Sequence, residues 1–327
     1  MFFKFIKIFL LAILTINLSV EKIDKITDIK TLSCKNIVIL VSENESARSI
    51  SKILEKHGII SCPKLFVLLN YISNKLLGSK LKTGEYCFLK GEGSIKSLKK
   101  IYKGKSLIRK ITIPEGFSVL NILTILNENP YLKGEIEENI EEGSLFPSTY
   151  YYFYGTKRQS LIDQMKSKMD DLLENLEKSL NKNLPIKSKR EILILASIIE
   201  RESKYEKDKP QIASILIKRL KLNMRLQVDS TLTYFLSEGR YNITRNLNFQ
   251  DLKIESKFNS YKYYGLPPTA ISCPGLLSLK SVLNPPETDF LYFLSTPEGE
   301  MIYNKDFQNH VRSKNLQKYL SQKKFEK

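Results

Sequence analysis

The chain has 327 residues, enough for one large domain or two smaller ones with a sizeable core. Lys and Arg outnumber Asp and Glu by 52 to 35, but they are spread through every segment without a helix-turn-helix, zinc-finger or RNA-binding signature, which argues against a nucleic-acid-binding protein. The four cysteines lack metal-ligand spacing and two histidines are too few for a His-rich site, so no metal or other cofactor is predicted.

The first twenty residues predict a membrane anchor. Lys4 and Lys7 precede an apolar run from Ile8 to Val20, and the Phe residues before it extend the run toward the span of about 20 residues that crosses a bilayer. A cleaved signal peptide is the alternative, but no small-x-small cleavage site follows. We therefore expect residues 1–20 to be a single-pass anchor in the cell inner membrane, with a cytoplasmic N-terminus and the remaining chain periplasmic or extracytoplasmic. Cysteines can pair there, although their spacing does not select a pair.

Residues 32–112 are predicted to form a small module of helices and strands. The expected elements are a strand at 36–41, helices at 47–57 and 65–77, a strand at 86–89, a helix at 94–102 and a strand at 108–113. Asn44 or Ser46 is a suitable N-cap for the first helix. Strand, helix, helix, strand is the order of LysM-type glycan-binding modules, so glycan contact is one interpretation. A packing module that orients the rest of the chain is the other.

The region 113–327 is predicted to be a larger mixed α/β domain. Ser118 is a suitable N-cap for a helix, and a charged amphipathic helix is expected at 160–180. Glu142 begins a motif that leads into an aromatic cluster at 150–154. Such clusters usually belong to a core, but exposed rings with a polar tip can also stack on sugars.

A long apolar run at 192–199 predicts the central helix of this domain, since no Gly or Pro interrupts it. Helical spacing puts Glu202 on the same face as Leu195 and Ile198, and Glu200 roughly opposite. A carboxylate on a core-facing stripe is costly unless it is paired, and desolvation raises its pKa, which suits a general acid at neutral pH. The alternative is a structural ion pair with a neighbouring Arg or Lys.

Polar motifs follow the central helix. Pro210 opens a second helix, and a polar stretch with isolated apolar residues follows at 223–231. Further along, an Asn-Ser-Tyr motif at 259–261 precedes a Gly-Leu-Pro-Pro turn that starts at Gly265. Proline fixes φ and glycine relieves steric conflict, so this turn is suited to form one wall of a cleft.

Taken together, these motifs resemble the endolytic murein transglycosylases, the MltG or YceG-like family. The matching strings are A-S-I-I-E-R-E-S at 196–203, R-L-x-x-x-M-R-L-Q-x-D-S-T at 219–231, N-S-Y-x-x-x-G-L-P-P-x-A-I-x-x-P-G at 259–275 and E-G-S-L-F-P-S-T-Y at 142–150, with Tyr292, Asn304 and His310 downstream. The resemblance covers nearly the whole chain in the expected order. It implies an α+β fold composed of an N-terminal anchor, a LysM-like module at 32–112 and a YceG-like catalytic domain at 113–327 with a central buried helix. The implied enzyme is a lytic transglycosylase of peptidoglycan.

The resemblance also implies a mechanism that needs one carboxylate. Glu202 aligns with the catalytic position of the family's E-x-E pair, and its implied reaction cleaves the MurNAc-GlcNAc bond to leave 1,6-anhydroMurNAc ends. Glu200 is interpreted as an orienting or structural partner, with a plain surface role as the alternative. Glu142 is interpreted as a stabiliser of positive charge at the anomeric centre or a substrate contact. The other predicted substrate-binding residues are Arg225, Gln227, Asp229, Thr231, Asn259 and Tyr261.

The implied partners are peptidoglycan glycan strands, the membrane, and peptidoglycan synthases whose nascent strands the enzyme would terminate. Three alternatives stay open. A non-catalytic wall-binding scaffold would bind strands without cutting them. A muramidase would hydrolyse them with Glu142 as its second carboxylate. A basic nucleic-acid-binding protein would be cytoplasmic, which the predicted anchor argues against.

Overall fold

The computed structural model describes residues 37–325 apart from 138, 244 and 297. The predicted anchor at 1–20 and the first residues of the predicted module lie outside the described residues. In the described part of the chain, no helix is long and apolar enough to span a membrane. The chain divides into two compact units, with the boundary between Ile108 and Arg109.

The first unit packs three helices against a two-stranded antiparallel sheet. Its elements are β1 (Ile37–Val41), α1 (Ala47–Lys56), α2 (Pro63–Leu77), β2 (Gly84–Phe88) and α3 (Ser94–Lys103). The sheet pairs Ile39 with Tyr86, and the Tyr86 ring is fully buried in the core of the unit. Ser46 caps α1 by accepting a hydrogen bond from the Ser49 N–H at 3.1 Å. The strand–helix–helix–strand order predicted from the sequence is therefore present.

Three cysteines fall within the described residues. Cys87, on β2, is disulfide-bonded. Cys62 is a free, exposed thiol, and Cys273 is a free thiol buried in the second unit.

The second unit is a mixed α+β structure in which small two-stranded sheets flank a group of helices. Its elements are β3 (Arg109–Thr112), α4 (Val119–Glu128), β4 (Thr149–Tyr152), α5 (Arg158–Lys178), α6 (Lys189–Glu202), α7 (Lys209–Lys221), α8 (Asp229–Leu236), α9 (Leu276–Leu283), β5 (Tyr292–Ser295), β6 (Met301–Asn304) and α10 (Phe307–Phe325). β3 pairs with β4 and β5 with β6, both antiparallel. The α+β class predicted from the sequence is confirmed.

Helix α6 is the central buried helix that the apolar run predicts. All eight residues from Ile192 to Ile199 are buried, against α5, α7 and α9. Burial of each large apolar side chain contributes about 1.5–3 kcal/mol. The sequence predicts one apolar face turned toward the core. In the structure the middle of the helix lies inside the unit, so residues on all of its sides are buried and apolar. Its C-terminal turn emerges from this core and carries Glu200 and Glu202 to different environments.

The C-terminal segment has a structural position that its charged sequence does not suggest. Helix α10 begins before His310 and packs against the β5–β6 hairpin. The hairpin register pairs Tyr292 with Asn304. This arrangement brings one face of α10 beside the C-terminal end of α6, where the candidate site lies.

Candidate active site

A cleft of about 850 Å³ opens in the second unit at the C-terminal end of α6. Its lining comes from α6, α7, the start of α8, the segment around Tyr261, the β5–β6 hairpin and α10. The titratable side chains in that lining are Arg201, Glu202, Arg219, Asp229, Tyr241, Tyr261, Tyr292, His310 and Lys314.

Glu202 is the last residue of α6 and lines this cleft. Its Oε1 accepts a hydrogen bond from the backbone N–H of Ser230 at 3.3 Å, in the first turn of α8. The side chain is half-buried, and desolvation of the carboxylate raises the pKa of Glu202 to about 7 from its ordinary value of 4.5. Glu202 is therefore part protonated and part ionised at neutral pH, as a group that alternates between acid and base requires.

The neighbours of Glu202 adjust that pKa in both directions. The Ser230 hydroxyl, the Ser230 N–H and the Arg201 guanidinium lower the pKa, whereas the negative charge of Asp229 raises it. The Ser230 hydroxyl is buried and makes no hydrogen bond of good geometry among the described residues. Desolvation outweighs these contributions.

Three of the predicted substrate-binding residues line the cleft beside Glu202. Gln227 is exposed there, and its backbone, at φ 49°, donates a hydrogen bond to the Ser260 carbonyl at 3.0 Å. Asp229 is also exposed and accepts a hydrogen bond from the Tyr261 hydroxyl. Burial raises the pKa of Tyr261, and the charge of Asp229 raises it further, so the phenol keeps its proton.

Thr231 and Asn259 are buried and do not line the cleft, so their positions give no support to their prediction as substrate contacts. Thr231 is fully buried, and its hydroxyl donates to the Val228 carbonyl at 3.1 Å. Asn259 is also fully buried, and its amide donates to the carbonyls of Leu252 and Ile254 at 3.0 and 2.9 Å. Both side chains hold the loops that carry the cleft residues.

Glu142 does not line the cleft either, so its predicted role at the anomeric centre has no geometric basis. Its Oε1 accepts hydrogen bonds from the N–H groups of Val119, at the start of α4, and Gly143, at 2.9 and 3.2 Å. Its Oε2 accepts one from the Tyr234 hydroxyl at 3.1 Å. Burial raises the pKa of Glu142 in spite of these donors. The carboxylate supports a helix N-terminus and ties it to α8.

Glu200 belongs to a buried ion-pair network away from the cleft, and its surface alternative is wrong. Its side chain is 7% exposed, and its Oε1 lies 2.8 Å from Nζ of Lys209, whose side chain is 4% exposed. Its Oε2 accepts hydrogen bonds from the Gly275 N–H and the Ser278 hydroxyl, at the start of α9. Glu115 lies 3.3 Å from the same ammonium and is 45% exposed. Glu200 thus connects α6, α7 and α9.

Arg225 is exposed outside the cleft lining. Its guanidinium carbon lies 4.9 Å from the centre of the Tyr264 ring, a cation–π contact on the surface. This position gives no support to the prediction that Arg225 binds substrate.

Sequence reasoning missed several residues of the cleft lining. Arg219, at the apolar spacing of α7, is almost fully buried and lines the cleft. Tyr292 and His310 had appeared only as parts of the family resemblance, and no role was predicted for Lys314. The burial of Arg219 could have been anticipated from its spacing with Ile212 and Leu216, but its hydrogen bond to the Leu291 carbonyl, 72 residues further on, could not.

No group of three or more His, Cys, Asp or Glu side chains that could hold a metal ion occurs within the described ranges. Among the side chains that line the cleft, Glu202 has a pKa raised to about 7 and can move a proton near neutral pH.

Comparisons with known proteins by family model, by sequence and by structure agree with one another. The model of the YceG-like family matches residues 39–316. The endolytic murein transglycosylase of Bacillus subtilis strain 168 is 29% identical over 317 residues, covering 87% of this chain and 85% of that protein. The one from Streptococcus pneumoniae serotype 2 strain D39 is 26% identical over 339 residues, and this chain spans 60% of its length.

A solved structure is similar over most of the chain. The crystal structure of a YceG-like protein from Listeria monocytogenes superposes with a TM-score of 0.54 at 28% sequence identity. The match covers 86% of this chain and 99% of the Listeria chain.

Proposed function

The chain belongs to the YceG-like family, and we therefore propose that it is an endolytic murein transglycosylase, a lyase acting on peptidoglycan. The observation that carries the mechanistic part of this proposal is Glu202, a cleft carboxyl whose pKa lies at about 7. A group of that pKa can both give and take a proton near neutral pH.

Glu202 alone can complete the reaction. In its protonated form it donates its proton to the glycosidic oxygen between MurNAc and GlcNAc, while the bond from that oxygen to the anomeric carbon breaks. The resulting carboxylate accepts the proton of the muramic 6-hydroxyl, and the 6-oxygen bonds to the anomeric carbon. The product is a 1,6-anhydroMurNAc end, Glu202 is protonated again, and no water is consumed. In nascent glycan strands this cleavage would terminate elongation.

The groups around Glu202 suit the two halves of that cycle. Desolvation keeps the carboxyl protonated for the first proton transfer, and the Ser230 N–H at 3.3 Å stabilises the carboxylate that follows. Gln227 and the hydrogen-bonded pair of Asp229 and Tyr261 offer donors and acceptors to sugar hydroxyl and N-acetyl groups.

A two-carboxylate hydrolase is the second candidate, and one observation favours considering it. Asp229 lines the same cleft and its charge acts on Glu202. A hydrolase built on this site would use Asp229 rather than Glu142, whose oxygens are occupied by Val119, Gly143 and Tyr234. The Tyr261 hydroxyl donates a hydrogen bond to Asp229 and occupies one of its oxygens, which favours the single-carboxylate mechanism.

End-group analysis of digested glycan strands tests the proposal. The full-length protein is expected to give products that end in 1,6-anhydroMurNAc, one water lighter by mass spectrometry than hydrolysis products. In water enriched with heavy oxygen, these ends should carry no label. Labelled reducing ends would replace the lyase with the hydrolase, and strands bound without cleavage would favour the scaffold alternative.

We also propose the three-part organisation of anchor at 1–20, LysM-like module at 32–112 and catalytic domain at 113–327, in the inner membrane with the catalytic domain outside the cytoplasm. The basic and apolar pattern of the first twenty residues and the order of β1, α1, α2 and β2 support it. Synthases that make nascent strands would then be neighbours. A mature protein beginning near Glu21 on N-terminal sequencing would contradict the uncleaved anchor.

A further inference from the structure

One wall of the cleft contains a buried cation for which the described residues provide no anionic partner. Arg219 is 5% exposed, and its Nε donates to the Leu291 carbonyl at 2.7 Å. Its Nη1 donates to the carbonyls of Arg225 and Leu226 at 3.2 and 2.7 Å. Its Nη2 has no acceptor among the described residues. All its acceptors are neutral carbonyls, so the buried charge is oriented by the chain but not neutralised by it.

Two further basic groups lie on the same wall. The His310 ring stacks on the Tyr292 ring with centroids 5.2 Å apart, and the Arg219 guanidinium carbon lies 4.8 Å from that same Tyr292 ring. Lys314 follows His310 by one turn of α10 and also lines the cleft. Burial lowers the pKa of His310, and the charges of Lys314 and Arg219 lower it further, so the three groups are close enough to act on one another.

This basic wall, defined here as Arg219, His310 and Lys314, lacks a compensating acid. None of the three has a carboxylate within ion-pair distance in the described part of the chain. His310 Nδ1 is buried and has no hydrogen-bond partner there. The two carboxylates in the lining, Glu202 and Asp229, bond to Ser230 and Tyr261 instead. Unfilled donors and uncompensated positive charge in a cleft are the features of a site for an anion.

We propose that the basic wall is a subsite for a carboxylate group carried by the glycan strand, with Arg219 Nη2 and the His310 ring as its hydrogen-bond donors and Lys314 as a mobile counter-charge. The proposal rests on the function proposed above and names the feature of the substrate that this site selects. Murein has a carboxylate on its muramic residues, either on the lactyl group of strands without peptides or on the stem peptide. A neutral strand of the same sugars lacks it. Charge-assisted hydrogen bonds of this kind correspond to about 10- to 100-fold in affinity.

Binding to the full-length Glu202→Gln protein, which keeps the strand uncut, tests this subsite. Three strand preparations of equal length are compared by calorimetry. The first is free of peptides and has free lactyl carboxylates, the second is the same material with those carboxylates converted to methylamides, and the third has intact stem peptides. We expect the methylamide strands to bind about 10- to 100-fold more weakly than at least one of the others. Preference for the first identifies the lactyl carboxylate, and preference for the third the stem carboxylate.

Matched variants in the Glu202→Gln background assign the effect to the wall. Lys314→Met and His310→Gln should reduce the preference for carboxylate strands several-fold, whereas Arg312→Met, which removes the same charge from an exposed position of α10 outside the cleft, should not. Equal affinity for all three strands, or equal effects of Lys314→Met and Arg312→Met, would overturn the proposal. Failure of the proposed function is distinguishable, because cleavage with unselective binding refutes only the subsite.

Discussion

Glu202→Gln is expected to lower the rate of glycan cleavage by about 10²- to 10⁴-fold, the usual contribution of a general acid–base group, with more loss if the same group serves both proton transfers. Glutamine keeps the size of the side chain and can still accept the Ser230 N–H, so the local structure should persist. It cannot donate a proton to the glycosidic oxygen or take one from the 6-hydroxyl. Cleavage is measured by chromatography of released fragments at a fixed strand concentration.

The matched control for this variant is Glu206→Gln. Glu206 is an exposed glutamate four residues further on and does not line the cleft, so its change should leave the rate within about twofold. Thermal unfolding of both variants should remain near that of the unchanged protein. Substantial cleavage by folded Glu202→Gln would remove Glu202 from the mechanism.

Glu200→Gln, two residues earlier on the same helix, is expected to lower the stability of the fold and to leave the rate of cleavage nearly unchanged. This is the reverse of the effect expected for Glu202→Gln. Removal of the carboxylate leaves Lys209 buried with only the half-exposed Glu115 nearby, and breaking a buried ion pair on one side costs about 3 kcal/mol. The rate of cleavage per folded molecule should change little, since Glu200 does not line the cleft. Chemical denaturation gives the free energy of unfolding, and active-site titration gives the folded fraction.

A double variant separates charge from packing at this position. Glu200→Gln with Lys209→Met removes the unpaired ammonium and should recover most of the lost stability, because both charges are then absent. If Glu200→Gln is fully stable but inactive, Glu200 takes part in the chemistry and the structural interpretation is wrong.

The helices and caps follow from local sequence signals, and these predictions are confirmed. Ser46 and Ser118 each begin a helix through a side-chain acceptor, and the apolar run at 192–199 forms the core of α6. These features depend on residues within one or two turns of one another, so the sequence contains all the information that they need.

The candidate site was only partly predictable, for a reason visible in the segment 227–231. Gln227 and Asp229 are exposed while Val228 and Ser230 are buried, although Gln227 has a left-handed backbone and Asp229 is already in a helix. Helix α8 begins at Asp229, and this change from loop to helix places Thr231 in the core. The motif letters alone do not reveal where that change occurs.

Tertiary contacts decide the remaining side chains. Glu142 meets Val119 across 23 residues, and Arg219 meets Leu291 across 72. No periodicity in the sequence relates such positions, so the helix-supporting role of Glu142 and the basic wall became evident only in three dimensions.

The most direct test of the central claim is the pH dependence of kcat/KM for strand cleavage, which reports the pKa of the acid in the free enzyme. Burial raises the pKa of Glu202, so the proton needed for the first step is present below pH 7 and is lost above it. The predicted kcat/KM therefore falls about tenfold per pH unit above a pKa of about 7, and the fall should persist in His310→Gln. A kcat/KM that stays constant from about pH 5 to 9, or that rises through pH 7, would contradict a protonated Glu202 as the catalytic acid.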